Sequence, residues 1–203
     1  MSKGMTILYK VHGGLYVNMT NRCDCRCTFC LRNDRETVGE SSTLWLEREP
    51  SVEEIKNEFA KFNLEEYEEV VFCGFGEPTE RFEDMLEVAE FVKKNYGKKI
   101  RLNTNGHGNL SHEKNIIPKM EGLIDTISIS LNTPNEGRYN EIVRSRFGDK
   151  AYQATLQFAE ESKKYVPNVV LTTVKTTITE EEEEQCRQIC EKLNVTYRIR
   201  AFE

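Results

Sequence analysis

Residues 21–32 read Asn-Arg-Cys-Asp-Cys-Arg-Cys-Thr-Phe-Cys-Leu-Arg, and residues 23–30 alone hold four of the seven cysteines in the chain. Such a density marks a ligand cluster or a redox device. A disulfide framework is disfavoured by the odd total and by the lack of a secretory signal at the amino terminus, since cytosolic thiols are kept reduced. The spacing Cys23-x3-Cys27-x2-Cys30 offers three thiolates from one short loop. Three thiolates hold a four-iron cluster and leave one iron without a protein ligand. Four-cysteine ligation is the rule for electron-transfer clusters, whereas an open coordination position marks catalytic metal sites. A structural zinc site that uses Cys25 as its fourth thiolate is the rival reading. Against it, three candidate ligands in residues 23–27 are packed more tightly than ordinary zinc-knuckle gaps.

Outward from this loop the chain alternates strand and helix. An opening β-hairpin is expected over residues 6–11 and 15–19, turned by His12-Gly13-Gly14. Further strands are expected at 70–72, 98–102, 125–131, 169–174 and 196–202, with apolar residues at helical spacing between them. Ser51 with Glu54 forms a capping box, and Thr179 caps the acidic run that follows it, where carboxylates suit a first helical turn. The alternation predicts an α/β fold with a parallel sheet and right-handed crossovers, and six strands suit a partial, open (β/α)6 barrel preceded by the hairpin. The 203 residues form one expected domain, 1–203, without a linker or domain-scale repeat. No apolar run approaches the roughly 18–20 residues of a bilayer crossing, so a cytoplasmic protein with no membrane segment is expected. A net charge of −6 disfavours unaided duplex binding.

Ligands of such sheets sit at the carboxyl ends of the strands. Four polar segments fall there: the cysteine loop, Gly74-Phe75-Gly76-Glu77 with Cys73 before it, Asn103-Thr104-Asn105, and Ser130 with Asn132. Gly74 and Gly76 allow close backbone approach, and on this reading Gly76→Val blocks a ligand's amino group while folding survives. Asn103, Thr104, Ser130 and Asn132 offer amide or hydroxyl partners for a ribose, and Arg144 can fork onto a carboxylate. His107 reads as a solvated loop residue beside Gly106 and Gly108, and Cys186 and Cys190 as part of the apolar face of one helix. Arg22, Arg26, Arg32 and Arg35 bracket the cysteine loop, and Arg198 and Arg200 share one face of the last strand. Side chains that are always charged rarely point inward without an anionic partner, so an anionic substrate is expected, the alternative being that these arginines pair with the chain's own surplus of acids.

Cys-x3-Cys-x2-Cys with Phe29 before the last cysteine resembles the radical S-adenosylmethionine (SAM) superfamily. GFGEP at 74–78 is similar to its SAM-amine motif, with Phe75 where a glycine usually stands, and SISLN at 128–132 is similar to its ribose-contact region. The chain as a whole resembles the small TatD-associated radical SAM proteins, from LYVNMTNRC through LWLEREPSVEEI and RLNTNGHGNL to YRIRAFE. This resemblance implies a [4Fe-4S] cluster on Cys23, Cys27 and Cys30 and SAM bound by Phe29, Gly74, Phe75, Gly76, Glu77, Asn103, Thr104, Asn105, Ser130, Asn132 and Arg144. It implies reductive cleavage of SAM to a 5′-deoxyadenosyl radical, an electron donor such as flavodoxin or ferredoxin, and a functional link to a TatD-family hydrolase. It names no substrate. Two alternatives stay open, a zinc-bound interaction module and a SAM-binding barrel without radical turnover.

Overall fold

The β-branched and aromatic runs form the strands of one sheet in a computed structural model that describes residues 3–201. β1 (Leu8–Val11) and β2 (Gly14–Val17) make the hairpin, with Tyr9 opposite Tyr16, and His12 turns it at φ 49°. From β2 onward every pairing is parallel, through β3 (Glu69–Phe72), β4 (Lys99–Thr104), β5 (Thr126–Ser130), β6 (Asn168–Val174) and β7 (Thr196–Arg200). Strand order follows chain order and the sheet does not close, which makes six parallel strands plus the antiparallel β1 a partial (β/α)6 barrel. The last strand was expected to run to residue 202, which lies outside the described residues.

Crossovers between parallel strands need intervening structure. It is supplied by α1 (Val52–Glu58), α2 (Phe82–Tyr96), a single turn α3 (Gly108–Ser111), α4 (Glu136–Val143), α5 (Lys150–Ser162) and α6 (Glu180–Leu193). Capping boxes start α1 at Ser51/Glu54 and α6 at Thr179/Glu182, and Gly97 ends α2 in the left-handed region at φ 61°. No helix among the described residues is long and apolar enough to cross a membrane.

The two faces of the strands divide the labour. Leu15, Val17, Val70, Phe72, Ile100, Leu102, Ile127, Ile129 and Leu171 are buried, and with Phe82, Met85, Val88, Ala89 and Val92 of α2 they belong to one core. Each such side chain contributes about 1.5–3 kcal/mol on burial. Cys186 and Cys190 join this core as expected. The alternate residues, Tyr16, Arg101, Asn103, Ser130, Arg198 and Arg200, line a cavity instead. Apolar helix-facing positions hold the sheet together, which leaves the concave face free to be polar.

Candidate functional site

The cysteine loop runs from the end of β2 and is held by its backbone. Glu77 N–H donates to Arg22 O at 2.8 Å, and Arg146 N–H donates to Asp24 O at 2.9 Å. Arg26 N–H reaches Val143 O at 3.1 Å and Thr28 N–H reaches Ile142 O at 2.8 Å. The last carbonyls of a helix lack intrahelical partners, so the loop satisfies the C-terminus of α4. From within, the Arg32 guanidinium donates to Cys25 O at 2.9 Å and Phe75 O at 3.3 Å, and the Asn33 amide donates to Cys27 O at 3.0 Å.

This scaffold brings Cys23, Cys27 and Cys30 onto the wall of the cavity, with Phe29 beside them. Cys25 shares that wall but is buried, and its hydrogen bonds to Cys23 and Cys27, with burial and the Asp24 charge, push its thiol far up. The same bond from Cys25, against burial and aided by Arg32, pulls Cys27 down. The Cys25 thiol donates to Asp24 Oδ2 at 3.4 Å and accepts from the Asn105 amide at 3.4 Å.

Behind Cys25 lies a buried polar network that the sequence does not announce. Asp24 Oδ2 sits 2.6 Å from His107 Nδ1 and accepts from Ser145 Oγ at 2.9 Å, and Asp24 Oδ1 accepts from the Asn105 amide. His107 Nε2 lies 3.0 Å from the Tyr139 hydroxyl and 3.2 Å from Thr155 Oγ1. Burial alone would raise the Asp24 carboxyl, but the bonds from His107, Ser145 and Asn105 outweigh it and hold it down at about 2. His107 is 1% exposed, which corrects the expectation of a solvated loop histidine.

The strand-end motifs converge as expected, but their polar groups divide between two tasks. Glu77 is buried and accepts from Thr79 N and Oγ1, Thr104 Oγ1 and Asn105 N, bracing the end of β3 against that of β4. Burial, opposed by these bonds, leaves its carboxyl raised. Asn103, Ser130 and Asn132 line the cavity, and Asn132 Oδ1 is buried without a hydrogen-bond partner among the described residues. Asn132 takes φ 66°, which presents it at the strand end.

Two expectations need correction. A Cβ on Gly76 would lie 2.3 Å from Thr20 O and 2.6 Å from Arg22 O, so this glycine is required by the approach of its own backbone to the cysteine loop. Folding is therefore not expected to tolerate Gly76→Val. Arg144 is exposed, adopts φ 52° as the left-handed residue after α4, and its Nε donates to Glu141 O at 3.1 Å. It is not among the residues lining the cavity.

The cavity holds about 540 Å³. Tyr9, Val11, Val38, Leu44 and Phe75 give it an apolar wall, on which the aperiodic segment 34–46 closes over the hairpin; Asn18 ties that segment down by donating to Leu44 O at 2.8 Å. Arg101, Arg198 and Arg200 line the same cavity, with Arg101 reaching the apolar wall through Tyr16. Arg101 escaped notice in the sequence, where polar positions alternating in a strand read as solvent-facing. The shared parity of Arg101 and Asn103 was the available signal.

These residues fit a three-thiol cluster and a nucleoside-bearing cofactor: three thiols on the cavity wall, an orphaned Asn132 amide oxygen just past the end of β5, and an apolar surface on the same cavity. The comparisons agree. Residues 17–191 match the family model described as the radical SAM superfamily. A GTP 3′,8-cyclase of Corynebacterium glutamicum is 29% identical over 141 residues, which cover 64% of this chain and 33% of that protein. The fold matches SuiB of Streptococcus suis bound to S-adenosylmethionine with TM-score 0.68 at 16% identity, over 93% of this chain and 40% of that one. It matches a radical SAM methyltransferase from Sphaerobacter thermophilus with TM-score 0.58 at 15% identity, over 96% and 57%. The chain thus spans about a third of the length of the cyclase and two fifths of SuiB. With three thiols at the spacing of a site-differentiated cluster and the family model matched across most of its length, this chain belongs to the radical SAM superfamily of enzymes, whose members bind a [4Fe-4S] cluster and SAM.

Proposed function

We propose that this chain acts as a radical SAM enzyme on an anionic small molecule or nucleotide, with Cys23, Cys27 and Cys30 as the cluster ligands. When bound, cluster and SAM together supply reductive cleavage to methionine and a 5′-deoxyadenosyl radical that takes a hydrogen atom from the substrate. The observation that carries this reading is the convergence of those three thiols and the ends of three strands on one cavity.

The work of the chain is to hold and to exclude. Arg32, fixed on two backbone carbonyls, and the Asp24–His107 network keep the loop in one shape. Ser130 and Asn132 are the groups left to meet the ribose, with the amide nitrogen of Asn103, whose Oδ1 is held by Arg101, beside them, and Gly74 and Phe75 border the amino-acid end. Glu77, Thr104 and Asn105 position this rim through one another. Phe29, Val38, Leu44 and Phe75 restrict water, which a reactive radical needs. The anionic substrate is supported by the arginines of the cavity, and GTP, the substrate in the name of the cyclase relative, is itself an anion. The electron would come from a flavodoxin- or ferredoxin-type donor, and the link to a TatD-type hydrolase rests on sequence resemblance.

The ligand assignment is tested by iron retention after anaerobic reconstitution. Cys23→Ala, Cys27→Ala and Cys30→Ala are each expected to lose the cluster, whereas Cys25→Ala, Cys186→Ala and Cys190→Ala keep it. Loss of iron from Cys25→Ala as complete as from Cys27→Ala would overturn the assignment.

A further inference from the structure

Four guanidiniums line the cavity, and they are not equivalent. Arg32 is committed to the carbonyls of Cys25 and Phe75. Arg101 is neutralised by Glu69 Oε1 at 2.7 Å and also donates to Asn103 Oδ1 at 2.9 Å and the Tyr16 hydroxyl at 3.3 Å. Arg198 has no carboxylate partner among the described residues, and its Nη2 donates to the neutral Ser128 Oγ at 3.1 Å. Arg200 has none either, and its Nε is buried with no hydrogen-bond partner. Burial together with the charges of Arg101 and Arg200 pulls Arg198 down, and burial pulls Arg200 down. Both positive charges therefore stand in an environment that disfavours them.

Arg200 is half-buried and Arg198 is exposed on the cavity wall, and guanidiniums partly withdrawn from water without a carboxylate partner are rarely kept without a ligand. The parallel register explains how two arise together. Arg198 aligns with Thr172 and Arg200 with Val174, so both side chains leave the same face of β7, the concave one. The curl of the sheet brings Arg200 within electrostatic reach of Tyr16, Cys73 and Arg101 from β2, the end of β3 and β4. The net charges of an oxidised cluster on three thiolates and of SAM are opposite in sign and offset each other, so together they leave this charge uncompensated.

We propose that Arg198 and Arg200, with Arg101 and Tyr16 beside them, form the subsite that takes a phosphate group of the substrate. The inference rests on the radical SAM reading only for the word substrate, since anion binding needs no turnover. Phosphate suits the site better than carboxylate: it carries about −1.5 to −2 charge and three acceptor oxygens, matching two uncompensated forks with their several donors. The apolar lining that Tyr16 joins gives the rest of such a molecule a surface to pack against, as the base of a nucleotide would.

The test is calorimetric titration of the reconstituted, SAM-bound protein with pyrophosphate, AMP, adenosine and succinate. Pyrophosphate and AMP are expected to bind, with AMP tighter, and adenosine and succinate to bind at least about tenfold more weakly than AMP. Arg198→Gln and Arg200→Gln are each expected to raise the Kd for AMP on the order of tenfold, with Arg198→Lys in between because it keeps charge without the fork. Iron content and SAM affinity are measured on the same samples and are expected to stay at wild-type values. Absence of phosphate binding, or equal binding by the Gln variants, refutes the subsite. Loss of SAM affinity in those variants also refutes it, because the arginines would then hold the SAM carboxylate. Failure of the radical SAM reading shows separately, as missing iron in the wild-type protein.

Discussion

At the scale of single residues, the least conspicuous side chain near the site is the most constrained. His107 bridges Asp24 of the cysteine loop to Tyr139 of α4 and Thr155 of α5. Replacing it leaves a buried carboxylate and a buried hydroxyl each short of a partner, at a cost of about 1–3 kcal/mol. His107→Ala is therefore expected to lower the melting temperature of the cluster-free protein by several degrees, and an unchanged melting temperature would show that the network is not structural. The sequence misled here for a physical reason. Flanking glycines at 106 and 108 signal a turn, and a turn is usually wet, but Gly106 at φ 84° folds this one back against Ile129 and Thr155. Cys23, Cys27 and Cys30, the proposed ligands, could be singled out because their spacing is that of the family motif. The separate character of Cys25 depends on a fold that buries its thiol against Asp24 and Asn105 and was not legible.

At the scale of elements, the strand ends fix the site by packing against one another. The backbone of residues 74–77 lies on that of residues 18–22, with Glu77 N–H bonded to Arg22 O. At position 76 the nearest obstacles are backbone carbonyls, which cannot rotate away. Gly76→Val is expected to destabilise the fold by about 3 kcal/mol or more, visible as lost soluble yield or an early denaturant midpoint; a variant of wild-type stability that has lost only SAM affinity would restore a purely ligand-facing role. Strands were legible from runs such as residues 169–174, whose β-branched character agrees with their burial on the helix side. The segment 34–46 has no period to read. Its place over the hairpin comes from Asn18, Leu44 and the packing of Trp45 on Phe75 at 5.2 Å between ring centroids. Arg144 stood at the right distance in sequence from β5 to serve as a carboxylate fork, yet the end of α4 needed a left-handed residue there and turned its side chain to solvent.

At the scale of the whole molecule, a chain of net charge −6 curls an open sheet so that Arg198 and Arg200, without a carboxylate partner among the described residues, share one cavity with three cluster-spaced thiols. The outer, apolar faces of the strands supply the stability and the concave face carries the function. The thiol side of that cavity is the central claim. The direct test is anaerobic reconstitution with analysis of iron, sulfide and zinc, followed by reduction in the presence of SAM and assay for 5′-deoxyadenosine. The account predicts iron and sulfide in the stoichiometry of one [4Fe-4S] cluster per chain and release of 5′-deoxyadenosine that requires both reductant and SAM. Stoichiometric zinc with no 5′-deoxyadenosine, or a full cluster that binds SAM and never cleaves it, would contradict it.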